Sequence, residues 1–213
     1  DWTDGWQGSL QYAIAYPGVA GTDGGMSGDP RGIEADNRDG DNDRTPISAP
    51  DLSNFTLINS GDPATQQGVL LRRGTRGTIA NGIVVDWSVG LDVDSDQTFA
   101  NFDDGTLNIQ SLFLDNTDNF ATDGDNPADA SLGVPAFAAG DNIVEGTNSL
   151  SGFSFVPGAT GVVPGTTEAN VPVFDVAGID GLEATTYVGA VEGANDTWFL
   201  GWTVDLNGAE TTN

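Results

Sequence analysis

The chain has 213 residues and a formal net charge of −26, built mostly from Asp against six Arg, with no Lys, His or Cys. This excludes disulfides, thiolate and Schiff-base chemistry and the Ser-His and Cys-His dyads. It also opposes binding to nucleic acid or anionic membranes, which takes clustered basic side chains. At this length a single core or a single elongated stack is the default.

In chain order, alternating apolar runs occupy Leu10 to Tyr16, Leu52 to Ile58, Ile79 to Val85 and Leu107 to Leu114. Clusters of Gly, Pro, Asn and Asp separate them, and none has helical period over a useful length. Between these runs stand three segments that superimpose residue for residue: Gly32-Ile33-Glu34-Ala35-Asp36, Gly68-Val69-Leu70-Leu71-Arg72 and Gly90-Leu91-Asp92-Val93-Asp94. Each reads glycine, apolar, any, apolar, polar. The two middle runs align at an offset of 27, which puts Leu57-Ile58 over Val84-Val85, while Gly68 and Gly90 are 22 apart. Strands that keep register while the turns between them vary in length predict an all-β, right-handed parallel β-helix. Polar insertions fall at 17–31 and 37–50, on one edge of the stack.

Beyond about Asp123 the rhythm weakens. Short apolar runs at Gly152 to Val156, Val171 to Phe174 and Thr186 to Val191 still read as strands, and the aromatic-rich unit Asp196 to Val204 closes the series. Coils over residues 1–123 and a C-terminal β cap over 124–213 are therefore expected, the cap covering the last coil. No apolar run is long enough to span a membrane. The chain opens on Asp1-Trp2-Thr3-Asp4 without an initiator Met, the expectation for a processed or partial product.

Five segments together resemble a family of secreted bacterial β-helix surface proteins. They are Asp1-Trp2-Thr3-Asp4-Gly5-Trp6-Gln7-Gly8, Gly32 to Asn37, Pro50 to Ile58, Gly68 to Thr75 with Gly77 to Ile79, and Tyr187 to Val191 followed by Trp198 to Trp202. The resemblance implies a parallel β-helix and an extracellular or cell-surface location. Its members mostly carry no function beyond being secreted or lipoprotein-like. They also carry further coils before the position of Asp1, so this chain is expected to start inside the solenoid. An uncapped parallel edge is a template for another chain. Head-to-tail self-association into a filament is expected, with Trp2, Trp6 and Leu70 as interface residues.

Stacking the Gly-led strands turns Ile33, Val69 and Leu91 inward, together with Ala35, Leu71 and Val93. Glu34, Leu70 and Asp92 then form one outward column and Asp36, Arg72 and Asp94 a second, in which Arg72 separates two carboxylates as a structural charge ladder. Calcium is the cofactor candidate. Asp39, Asp41 and Asp43 offer carboxylates at alternate positions, although Arg44 and Pro50 stand where an EF-hand has its turn Gly and bidentate Glu. A second acidic cluster includes Asp123 and Asp125. Asp and Asn are also ordinary turn residues. A calcium-dependent carbohydrate-binding or adhesive module is the alternative function. A polysaccharide-active enzyme is the next, since carboxylates at i and i+2, as in Asp92 and Asp94, stand about 7 Å apart on a strand, within the range of inverting glycosidases.

Overall fold

The computed structural model of the chain describes residues 1–17, 30–60, 67–121, 135–155, 158–201, 203 and 209–210. Among these residues nine strands fall into two parallel sheets. A five-stranded sheet contains β1 (Ser9–Ala15), β3 (Asp51–Ile58), β5 (Gly77–Val85), β7 (Leu107–Asp115) and β9 (Ile143–Glu145) in that order. A four-stranded sheet contains β2 (Ile33–Asp36), β4 (Gln67–Arg72), β6 (Val89–Val93) and β8 (Asp118–Phe120). The chain alternates between the sheets, so each coil contributes one strand to both. Trp2 adds a further rung to the four-stranded sheet through a parallel bridge to Ala35.

The register is the one the alignment requires. Ile33 pairs with Val69 and Val69 with Leu91, and Leu57 and Ile58 lie over Val84 and Val85. The glycines that lead the short strands have a steric cause. A Cβ on Gly32 would lie 2.5 Å from the carbonyl oxygen of Gly68, and one on Gly68 would lie 2.9 Å from that of Gly90.

Each long strand bends at one residue in the left-handed region: Tyr12 (φ 62°), Asn54 (52°), Asn81 (54°) and Ser111 (55°). These four positions stack at the break in successive ladders, and the strand leaves each of them on a new course. The corner splits the apolar residues between two cores. Leu52, Phe55, Leu57, Ile79, Val84, Leu112 and Leu114 face the interior with Val69, Leu71, Leu91 and Trp87. Ile58, Ile83, Val85 and Phe113 face outward after the corner and form a second core with Val171, Val188, Val191 and Phe199. A strand covered on both faces reads as a continuous apolar run, and after the corner β5 and β7 do so, as Ile83-Val84-Val85 and Leu112-Phe113-Leu114.

Three features depart from the sequence reading. The ladder continues past residue 123, because β9 pairs with β7. Residues 96–103 form a helix, α1 (Asp96–Asp103), that packs over the turn at Gly74 and Thr75 through Thr98 and Asn101. The C-terminal runs are not strands: 153–155, 171–176 and 186–191 carry none, and the described part of 149–201 consists of turns, a 3-10 turn and one isolated bridge, Ser151 to Val163. These residues lie along the flank of the long strands, reaching back to the first coil where the Ser9 hydroxyl donates to the carbonyl of Asp180 at 2.6 Å. Residues 202 and 204 of the last aromatic unit lie outside the described residues. Among the described residues, no helix is long and apolar enough to cross a membrane.

Candidate functional site

Three of the six Arg converge on the outer face of the four-stranded sheet. The period of two in β2, β4 and β6 places Glu34, Leu70 and Asp92 in one column, and Asp36 pairs with Arg72 in the next. Arg72 Nε lies 2.7 Å from Asp36 Oδ1, and its guanidinium also grips the Glu34 carboxylate. Arg73 Nη1 reaches the second oxygen of Asp36 at 2.9 Å, and its Nε lies 3.4 Å from Asp39. Arg31 donates to Glu34 at 3.1 Å and to Gln67 Oε1 at 3.0 Å, and Gln67 Nε2 donates to Asp92 Oδ2 at 3.2 Å. The result is one polar network running from Asp92 to Asp39. Asp94, one rung beyond Arg72, accepts the Ser95 N–H at 2.7 Å.

The outward columns are closed rather than solvated. Asp36, Asp92 and Asp94 are 7, 3 and 5 % exposed, and Leu70, expected as an exposed apolar spot, is 0 % exposed. Periodicity fixes the side of the sheet to which a residue points, not whether that side meets water. In such a setting each carboxylate needs a cation or N–H partner to offset its lost hydration.

The second site is the open interior of the first coil. Trp2, expected at an interface, is instead a core residue. Its N–H donates to the carbonyl of Glu34, its carbonyl accepts the Asp36 N–H, both at 3.0 Å, and its indole Nε1 donates to Thr75 Oγ1 at 3.3 Å. The Trp6 ring lies 5.5 Å from that of Trp2 at 49° and stays 39 % exposed. Together with Leu10, Ile33, Leu52 and Phe55 it lines a cavity of about 530 Å³ at the end of the sheet where β1 has no second strand partner among the described residues.

A family model described as a pectate-lyase-like beta helix domain matches residues 1–153. The chain belongs to the pectate-lyase-like β-helix family. No curated protein and no solved structure matches it. The matched span of this pectate-lyase-like β-helix covers both sheets to β9, and thus both the polar network and the open coil.

Asp39, Asp41 and Asp43 form no common group of ligands. Asp39 faces Arg73, while Asp41 closes a turn in which its N–H donates to the Arg38 carbonyl and its own carbonyl accepts the Arg44 N–H. Asn37 ties the same loop from inside through Asn42 and Arg44. Among the described residues, no three acidic side chains come together as metal ligands, and Asp123 and Asp125 lie outside the described residues.

Sequence reasoning missed two polar groups. Glu168 is wholly buried, accepting the Ser149 N–H and hydroxyl at 2.7 Å each and the Gly165 N–H at 2.8 Å. Asn54 and Asn81 hold the corner. An Asn at the same place in two aligned runs was the signal available, since Asn tolerates the left-handed region.

Proposed function

We propose that the chain is an extracellular structural or surface protein, a right-handed β-helix shaft that self-associates end to end through its first coil. One observation carries this reading. Trp6 and Leu10, the large apolar residues exposed among those described, line the same open cavity beside a strand edge that has no partner among the described residues. An edge of this kind offers a row of main-chain donors and acceptors, and the apolar side chains beside it gain roughly 25 cal/mol per Å² when covered.

At the far end β8 and β9 are likewise outermost in their sheets among the described residues. A copy stacked head to tail would continue both sheets in the same parallel sense, and heterologous contacts of this type propagate into filaments when they do not close. The right hand follows the near-universal preference of parallel crossovers. The acidic surface supports an extracellular setting, with calcium and other cations screening the charge.

The test is light scattering of the wild-type protein beside a Trp6→Asp, Leu10→Asp double variant. Wild-type particles larger than a monomer that disappear in the variant support the reading. Equal monomers in both overturn it.

Carbohydrate binding or cleavage is the second reading, favoured by the convergence of Arg31, Arg72 and Arg73 with Glu34, Asp36 and Asp92 in a family named for a polysaccharide lyase. It is the weaker one, because the guanidiniums are engaged by carboxylates and Asp36 and Asp92 are closed from water. A polysaccharide panel with wild type and Arg72→Gln tests it. Product or binding lost in the variant would favour it over the structural reading.

A further inference from the structure

The corner asparagines hold the C-terminal flank segment by its main chain. Asn54 and Asn81 sit on neighbouring rungs, both 0 % exposed. The Phe174 N–H donates to Asn81 Oδ1 at 2.8 Å while Asn81 Nδ2 donates back to the Phe174 carbonyl at 3.0 Å, a closed pair that imitates one step of a β-ladder. Asn54 Nδ2 donates to the carbonyls of Tyr187 at 2.9 Å and Gly189 at 3.3 Å. The Ala190 N–H reaches Thr56 Oγ1 at 2.9 Å. On the first coil, Gln11 makes the same two-bond pair with Glu183, at 2.9 and 2.8 Å.

The apolar half of the contact is equally local. Val171, Val188, Ala190 and Val191 share a core with the outward Ile58, Ile83, Val85 and Phe113. Gly189 (φ +85°) permits the close approach, since a Cβ there would lie 2.6 Å from Ile83 Cδ1. Between the rungs and this segment's main chain, the Gly189 N–H donates to the Asn81 carbonyl at 2.9 Å and the other bonds use side chains of the rungs; at its two ends the segment is tied to its own flanks, the Val171 N–H donating to the Glu168 carbonyl at 3.1 Å and Trp198 Nε1 to the Ala190 carbonyl at 2.9 Å. The ladders of β3, β5 and β7 pair in register on both sides of the corner without them.

We propose that residues 171–191 are a strap that detaches from the flank as one unit while the coils stay folded. Its release uncovers a groove that reads polypeptide backbone through Asn54, Asn81 and Thr56 and takes apolar side chains on Ile58, Ile83 and Phe113. The occupant of this groove is the chain's own strap. Segments whose bonds are separate from the main ladders open as cooperative units below the global unfolding free energy.

Hydrogen exchange of the full chain, followed by mass spectrometry under native conditions, tests this. Peptides carrying Phe174, Glu183, Gly189 and Ala190 are expected to exchange together, about ten-fold or more faster than peptides of β3, β5 and β7. Asn81→Asp keeps a residue tolerant of positive φ and the acceptor for the Phe174 N–H, but sets an oxygen against the Phe174 carbonyl. It should speed the strap peptides by a further factor of about ten with β5 and β7 little changed. Gln11→Ala, on the first strand, loosens the strap from its other end and serves if Asn81→Asp disturbs the corner itself. Strap peptides that exchange at the β5 rate in the wild type, or that accelerate in both variants only together with β5, would overturn the proposal.

Discussion

Arg72 Nε and Asp36 Oδ1 stand 2.7 Å apart on adjacent rungs of the four-stranded sheet, both side chains nearly closed from solvent. The same carboxylate takes Arg73 on its other oxygen, so Asp36 is bound on both sides. Removing Arg72 takes one of two cations from Asp36, which keeps Arg73, and one of two from Glu34, which keeps Arg31. Arg72→Ala should therefore destabilise the fold by about 1.5–3 kcal/mol, above the roughly 0–1 kcal/mol of an exposed pair and below the loss expected for an orphaned buried charge. Urea unfolding measures it, and a loss below about 1 kcal/mol would mean that water reaches the network.

Gly82 lies under the ring of Phe55 on the neighbouring rung, where an added Cβ would sit 2.2 Å from the ring. Gly82→Ala should cost about 1–3 kcal/mol through overpacking. Phe55→Leu alone should also cost stability, but the two together should cost less than their sum, as contacting sites do. A double-mutant cycle by thermal unfolding checks the sign of that coupling.

Desolvation raises the Asp86 carboxyl above the ordinary Asp range even though the residue sits at the surface; the Thr160 hydroxyl opposes the shift and Asp115 adds to it. The folded protein therefore holds this proton more tightly than the unfolded chain. Its ionised form costs stability, and that cost grows as pH rises through the folded pKa. Asp86→Asn should stabilise the protein at neutral pH, by at most about 0.5 kcal/mol. The gain should vanish in acid, below the ordinary Asp value. A melting-temperature difference that is larger at low pH than at pH 7 contradicts this.

The parts of the fold visible in the sequence are those fixed by strand periodicity. The offset between β3 and β5 follows from alternating Leu, Ile and Val, and the Gly-led strands align because each glycine meets the main chain of the next rung. Residues 171–174 and 186–191 carry the same apolar alternation, yet their main chain bonds to asparagine side chains, which no period records. Helix α1 is too short to display a period: Phe99 and Phe102 pack against the interior core, while Thr98 and Asn101 tie it to the turn at Gly74 and Thr75. Of the candidate site, the column positions of Asp36 and Arg72 were legible; the Arg31–Gln67–Asp92 connection was not, because it joins residues through side chains of different rungs. Trp2 and Trp6 look alike in sequence, and only the bridge to Ala35 separates the core residue from the exposed one.

Like charge opposes association of a chain carrying −26, while the contact surface proposed at Trp6 and Leu10 is apolar. Raising salt from about 0.1 to 1 M shortens the screening length from about 10 to 3 Å. Association should strengthen over that range, the reverse of a contact held by ion pairs. Sedimentation at the two salt levels distinguishes them, and weaker association at high salt would rule out an apolar contact.

Sedimentation velocity across a protein concentration series at high salt tests the end-to-end reading most directly. A sedimentation coefficient that climbs with concentration for the wild type, and stays at the monomer value for the Trp6→Asp, Leu10→Asp variant, is the predicted result. A single concentration-independent monomer for the wild type would contradict it.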